Sequence, residues 1–568
     1  MSDQFHEPRA RRPLRDVVSD IDRDILRLLM RRHNILRKMR NAKGFLDASE
    51  EKGLREAWEA AVSRVSRDAR LSSRFFSLMQ EVDFLPRPED GEERRAAFNL
   101  APPAVPARLD MEAPLACRAT RAWLFLAAAS GRPLTLGPCL MNDPVVDCVK
   151  LLNQMGAALN REDAGVTAFA TAPMTAPDKV LHVGDSAWNF YLALAFYLGR
   201  PSRTKFTGET SLRLGDFSPL RRLMPSLGAR LVHVVPRSDG FPVRIECSGV
   251  LPDSLRLPAD APIELAEALL LAAPFHERPL CVDLAGHPDR ETLKNRTLPI
   301  LRAVNARLEE SGDAFRVTPS ELDLPQRPSL PMEPELALFL LALAPALGGE
   351  VRLKGRWPQD PAARAGLALL TSCGARVSAG EDAVTCSADA PLAVLPARAL
   401  PSSEGDFPAC WLPLPVALAA AAALRGGEAA LPPFTDAQLR ADAEGFLADL
   451  GLEAREGQAR RRGPAADENG GEGGERHADR HPWNAPSPVW ALALAVAACA
   501  HGPRTGFKLG NPGIITALYP AFWALYNGLP EPRPQRPAEK PAPVAAPRRR
   551  RVITNAVAVL PEPRDDGA

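Results

Sequence analysis

Two cations on one helical stripe are the first residues that could do chemistry. From Leu14 to Lys43 the chain reads LRDVVSDIDRDILRLLMRRHNILRKMRNAK. It contains neither Gly nor Pro, Pro13 suits a first helical position and Gly44 a stop. Apolar residues recur by threes and fours at Val18, Ile21, Ile25, Leu28, Ile35 and Met39, which predicts one buried seam. Between Leu28 and Ile35 that seam carries Arg32, and a guanidinium there needs anionic partners or costs several kcal/mol. Lys43 lies about three turns further on and points roughly the same way, so the pair suits a dianionic ligand. Arg15 is roughly 25 Å back along the axis and rotated by about 100°, too far to share that pocket. It reaches the pocket of a second copy if two such helices pack antiparallel, which leads us to expect a homodimer with sites built from both chains.

The elements needed to hold those residues resemble a known family. The stretch is similar, without a gap, to the first helix of the all-helical (AroQ-type) chorismate mutases, whose functional positions fall on Arg15, Arg32 and Lys43. KGLREAWEAAV matches the second helix, with Arg55 and Glu56 as its Arg-Glu pair, and SSRFFSLMQEV the third, with Ser77 at the polar position. Relatives often have Gln or Glu where Ser77 stands and an Asp where Lys52 stands. The resemblance implies conversion of chorismate to prephenate, an intramolecular rearrangement that needs no cofactor. The enzyme must hold a dicarboxylate in a near-attack shape and stabilise charge growing on the ether oxygen. On this resemblance Arg15, from the partner copy, and Arg32 grip carboxylates, while Lys43 and Ser77 face the ether oxygen. Arg55 and Glu56 hold the second carboxylate side and the hydroxyl.

Composition bounds the rest. At 568 residues the chain exceeds one ordinary domain. A net charge of +1, from 70 basic and 69 acidic residues, argues against wholesale nucleic-acid or membrane binding. The nine cysteines show no CxxC spacing, so reduced, mostly buried thiols and a cytoplasmic setting are expected. The greasiest runs, LALFLLALAPALGG and WALALAVAACAHG, are shorter than the ~20 residues that span a bilayer and read as core helices.

Beyond a linker, one module recurs. A helix-like run, a glycine and then a strand appear as LLNQMGAAL, LMPSLGARLVHV, LLTSCGARVSA and FLADLGLEA, with a glycine-free copy ILRAVNARLEE and a terminal FWALYNGL. The markers at 156, 228, 305, 374, 451 and 528 are spaced by roughly seventy to seventy-seven residues, which predicts six similar units. Six units in two halves resemble the enolpyruvyl transferases, specifically 3-phosphoshikimate 1-carboxyvinyltransferase (EPSP synthase). RAWLFLAAASG, FTGETSLRLGDFSPLRRLMPSLGARL, EALLLAAPF and PMEPELALFLLALAPALGGEVRLKG carry the likeness. It implies shikimate 3-phosphate and phosphoenolpyruvate as ligands.

The family's charged site residues are mostly replaced. The opening loop reads PLACRATR, its lysine falling on Ala116 and its serine on Cys117, while Arg121 remains. The Asn-Ala-Gly-Thr turn becomes Asp185-Ser186-Ala187-Trp188, and the Ser-Ser-Gln clamp becomes Pro262, Ile263 and Glu264. The family's base falls on Ala409, with Asp406 nearby, and its acid-and-Arg motif leaves Asp436 and Arg440. Its Asp-His-Arg falls near Asn484-Ala485-Pro486. Arg118 and Lys354 are the available substitute cations. Joining two multiply charged anions needs cations, a proton donor and an acceptor, so the usual transfer is not expected of this pocket. An enolpyruvyl transferase with a rebuilt site and a non-catalytic pathway scaffold are the competing readings.

The expected layout is therefore multidomain. A disordered start (1–13) precedes an all-α three-helix chorismate mutase-like domain (14–84) and a Pro- and charge-rich linker (85–108). An α/β EPSP-synthase-like body of six βαβαββ-type repeats follows (109–530), in half-domains about 115–328 and 329–530 with a low-complexity loop at 456–482. A Pro/Arg-rich tail (531–568) ends the chain, with Arg548 to Arg551 as its basic run.

Overall fold

A computed structural model describes residues 48–62, 98–100, 106–401, 407–462, 482–500 and 507–529, with the isolated positions 25, 28, 29, 31, 32, 35 and 36. Arg15, Lys43, Ser77, Asp406, the third N-terminal helix and the tail lie outside the described residues.

The N-terminal positions are helical, as is α1 (Ala48–Val62). The seam does not behave as the spacing predicts. Ile25, Leu28 and Ile35 are 45%, 63% and 51% exposed, whereas Leu36, one step round the helix, is buried. Among the described positions of one chain, the expected seam is exposed and Leu36 is buried. Sequence period fixes that a stripe exists, not which neighbour covers it.

In the body, three four-stranded sheets share one topology. Val180–His182 runs parallel to Pro201–Thr207, which pairs antiparallel with Val243–Ser248, itself antiparallel to Ala229–His233. Ser254–Arg256, Leu280–Asp283, Ala314–Thr318 and Arg307–Ser311 repeat that order. So do Ala107–Glu112, Gly349–Lys354, Ala383–Ala388 and Arg376–Ala379. The last sheet joins the start of the body to residues more than two hundred positions later. Three smaller sheets complete the set among the described residues. One pairs Phe98–Leu100 with Phe507–Leu509, so a strand lies within the expected linker. Gln458–Arg461 likewise forms a hairpin with Leu452–Arg455 inside the expected low-complexity loop.

The recurrent glycine has a backbone reason. Gly156, Gly228, Gly374 and Gly451 have φ of 101°, 66°, 87° and 74°, where a Cβ is strained. The glycine-free copy puts Asn305 there at φ 54°, the side chain that tolerates this region best.

Apolar helices fill the interior: α2 (Cys117–Ser130), α3 (Ala187–Leu198), α4 (Ile263–Ala272), α5 (Pro334–Leu341), α6 (Pro413–Leu424) and α7 (Pro488–Ala498). Proline opens α5, α6 and α7, where its missing N–H costs nothing. The two greasiest runs are these core helices, α7 being buried from Trp490 to Ala498. Phe190 on α3 meets Phe206, Phe217 and Phe241 edge-on at 4.9 to 5.9 Å, an arrangement worth about 1 kcal/mol per pair beyond burial. All nine cysteines are free. Among the described residues no helix is long and apolar enough to cross a membrane.

Candidate functional site

Side chains from the starts of α2, α3, α4 and α5 meet one another, which makes this the candidate site. Helix starts expose N–H groups and positive dipole ends, so they attract anions. Here the protein supplies the anions itself. Ala116 gives α2 no side-chain cap; instead the Cys117 N–H donates to Glu333 Oε2 at 3.0 Å, across 216 residues of sequence. Backbone bonds lock the two segments together, from Ala116 N to Pro331 O and from Glu333 N to Pro114 O. Burial pushes the Glu333 carboxyl above the usual carboxylate range, opposed by the Cys117 N–H and by Arg296, Arg121 and Arg118.

Arg121, expected to bind substrate, is 8% exposed and tied to the protein through its Nε and Nη1. It donates to Ser186 Oγ at 2.7 Å, Asn189 Oδ1 at 3.2 Å and the Cys117 carbonyl at 3.2 Å. Ser186 also caps α3 by accepting from the Asn189 N–H. Asn189, fully buried, donates to the carbonyls of Pro144 and Val183. Arg121 is therefore a rivet between α2 and α3. Cys117, where the family has serine, donates its thiol to Asn142 Oδ1 at 3.3 Å; burial raises its pKa, so it is a thiol and not a thiolate.

Arg118, the first substitute cation, is also claimed. Its Nη1 lies 3.4 Å from Glu264 Oε1 and its Nη2 meets Glu267 Oε2. Its guanidinium stacks 4.2 Å from the centre of the Trp188 ring, a cation–π contact. Glu267 is fully buried and takes a further hydrogen bond from Thr297 Oγ1 at 3.0 Å. Trp188 and Glu264, the residues that replace the turn and the clamp of the resembled family, thus both engage Arg118.

The other expected positions scatter. Asp436 caps the helix Ala437–Asp449 by accepting from the Leu439 N–H at 2.9 Å, and Arg440 donates to the Phe434 carbonyl at 3.0 Å. Both are local bonds at the start of that outer helix. Lys354 pairs with Asp110 across two strands. Asn511 pins Ala485 through both its N–H and its carbonyl. In the N-terminal helices, Arg32 lines an apolar cavity of about 360 Å³ with Leu28, Arg31, Ile35, Leu36 and Leu54. Glu56 is exposed and paired with Lys52 at 3.8 Å. Arg55 lies on α1.

Glu335, on α5, lies outside the motifs that supply expected site residues. Burial, with Glu333 beside it, raises its pKa to about 8, so it carries a proton at neutral pH. Cys410, next to Ala409, feels it, desolvation first and Glu335 second lifting that thiol to about 11. The signal in PMEPELALF was two carboxylates opening an otherwise apolar helix. Among the described residues no cluster of ligands could hold a metal ion.

No family model matches the chain. It is 24% identical over 268 residues to a 3-phosphoshikimate 1-carboxyvinyltransferase of Methanothermobacter thermautotrophicus, covering 46% of this chain and 62% of that protein. The same-named protein of Methanosphaerula palustris is 24% identical over 271 residues, 47% and 63% of the two chains. The matched region thus spans less than two thirds of these relatives. An EPSP synthase structure from Acinetobacter baumannii superposes with a TM-score of 0.58 at 17% identity, over 75% of this chain and 97% of that one. The enolpyruvyl transferase NikO from Streptomyces tendae gives 0.53 at 15% identity, over 76% and 96%. About three quarters of the chain therefore has an EPSP-synthase-like α/β fold.

Proposed function

We propose that this is a shikimate-pathway protein in which the N-terminal helices convert chorismate to prephenate and the EPSP-synthase-like body no longer performs ordinary enolpyruvyl transfer. The observation that carries the second half is the internal pairing of Arg118, Arg121 and the start of α2. Two incoming dianions would have to displace Glu264, Glu267 and Glu333, and unpairing a buried charge costs about 3–5 kcal/mol. The six-unit, two-half organisation of the body and its descent from an enolpyruvyl transferase belong to the same reading.

For the helices the support is Arg32 in a largely apolar cavity. A compact dicarboxylate is neutralised there by Arg32 and Lys43, and Arg15 arrives from a second copy, which would also cover Ile25, Leu28 and Ile35. This chain's residues bind and orient the ligand and stabilise its developing charge; the rearrangement requires nothing more. The test is prephenate formation by the full chain. We expect turnover that Arg32→Ala lowers at least a hundredfold; no turnover by the unsubstituted chain rejects the assignment.

One observation favours the alternative of a rebuilt transferase. Glu335, protonated at neutral pH and within electrostatic reach of Cys410 beside the lost base position, is a proton donor on a neighbouring helix. Phosphate release from shikimate 3-phosphate and phosphoenolpyruvate, abolished by Glu335→Gln, would establish it.

A further inference from the structure

A concavity of about 470 Å³ lies beside the edge strand Ala229–His233. That volume falls in the usual range for small-molecule sites, ~300–1,000 Å³. Its wall comprises the helix Ser218–Leu223, that strand and the loop that follows. None of its lining residues takes part in the helix-start cluster.

The wall is basic. Arg221, Arg230 and Arg237 all line it and all are exposed, and His233 lines it as well. Nearby arginines on the same surface take carboxylates: Arg222 pairs with Asp260 at 3.3 Å, and Arg203 and Arg244 share Glu246. Arg221 and Arg230 have no ion pair among the described residues. The one carboxylate in the wall, Asp239, is buried, and both it and Arg237 already have partners. Like charges gathered around a concavity raise its potential and concentrate anions.

Two local features sharpen the ligand class. Arg237 has φ 60°, a conformation unfavourable for a residue with a side chain; such strain collects where a particular side chain is needed. His233 Nδ1 faces the Gly240 carbonyl at 3.0 Å. A carbonyl only accepts, so the proton is on Nδ1 and Nε2 is left bare. That Nε2 is buried and has no partner, and it becomes a second donor once the ring is protonated. Guanidiniums match phosphoryl oxygens with paired N–H donors.

We infer that this cavity binds a phosphorylated small molecule through Arg221, Arg230, Arg237 and His233, at a site separate from the helix-start cluster. The inference does not depend on either reading of the function.

The test is calorimetric titration of the full chain with inorganic pyrophosphate in phosphate-free buffer at fixed ionic strength. Malonate serves as the carboxylate control. Saturable binding is expected, weakened tenfold or more in Arg230→Ala and in Arg221→Ala, with unchanged melting temperature and partial retention in Arg230→Lys. Absence of saturable heat overturns the inference. So does equal affinity in the alanine variants, which places the anion elsewhere, or equally tight malonate, which removes the phosphoryl preference.

Discussion

Glu335→Gln turns the buried acid on α5 into a measurable quantity. Glutamine has nearly the shape of a protonated glutamate and never ionises. The native chain holds the Glu335 proton to about pH 8, against 4.5 for an ordinary glutamate, because burial and the neighbouring Glu333 disfavour the charge. The folded state therefore binds more protons than the unfolded one between those values, and stability must fall as pH rises through that window. Each pKa unit is worth ~1.4 kcal/mol, so the native chain forfeits on the order of 3 kcal/mol by pH 7 relative to acid. The substitution removes that loss. Thermal unfolding followed by circular dichroism should show Glu335→Gln melting a few degrees above the native chain at pH 8. The two curves should coincide at pH 4.5. Equal shifts at both pH values, or destabilisation at pH 8, would refute the enclosed, proton-bearing carboxyl.

Other substitutions probe separate parts of the account. Arg121→Ala leaves the Ser186 and Asn189 oxygens without their donor, and denaturant unfolding should show a loss of about 2–4 kcal/mol. Gly228→Ala places a Cβ 2.1 Å from the Val250 carbonyl at φ 66°, whereas Gly374→Ala at φ 87° meets open space. The first should lower the melting temperature severely, and the second should cost only the conformational strain, roughly 1 kcal/mol. Arg32→Ala should abolish prephenate formation while leaving the body's melting transition in place, as a two-transition scan would show.

Much of the body was legible in the sequence because its marker is a backbone requirement. A helix that must turn sharply into a strand needs positive φ, and the glycines at 156, 228, 374 and 451 and the asparagine at 305 record that directly. The core helices were equally plain, since nothing but burial explains a run such as WALALAVAA. Motif positions told which family residues were missing, but not what replaced them. Glu333 caps a helix that begins 216 residues earlier, and Glu267 neutralises Arg118 across 149 residues. No local pattern encodes such pairings. Nor did its residue type reveal that Arg121 is also bonded to Ser186 and Asn189. In the N-terminal helix Ile25, Leu28 and Ile35 are exposed in a single chain, and a hydrophobic period does not say whether a second copy covers them.

The most direct measurement is phosphate release when the full chain is given shikimate 3-phosphate and phosphoenolpyruvate together. With Arg118, Arg121 and the start of α2 already paired to the protein's own groups, release should stay at the level of the enzyme-free control. Sustained turnover, many cycles per protein molecule, would contradict the account at its centre.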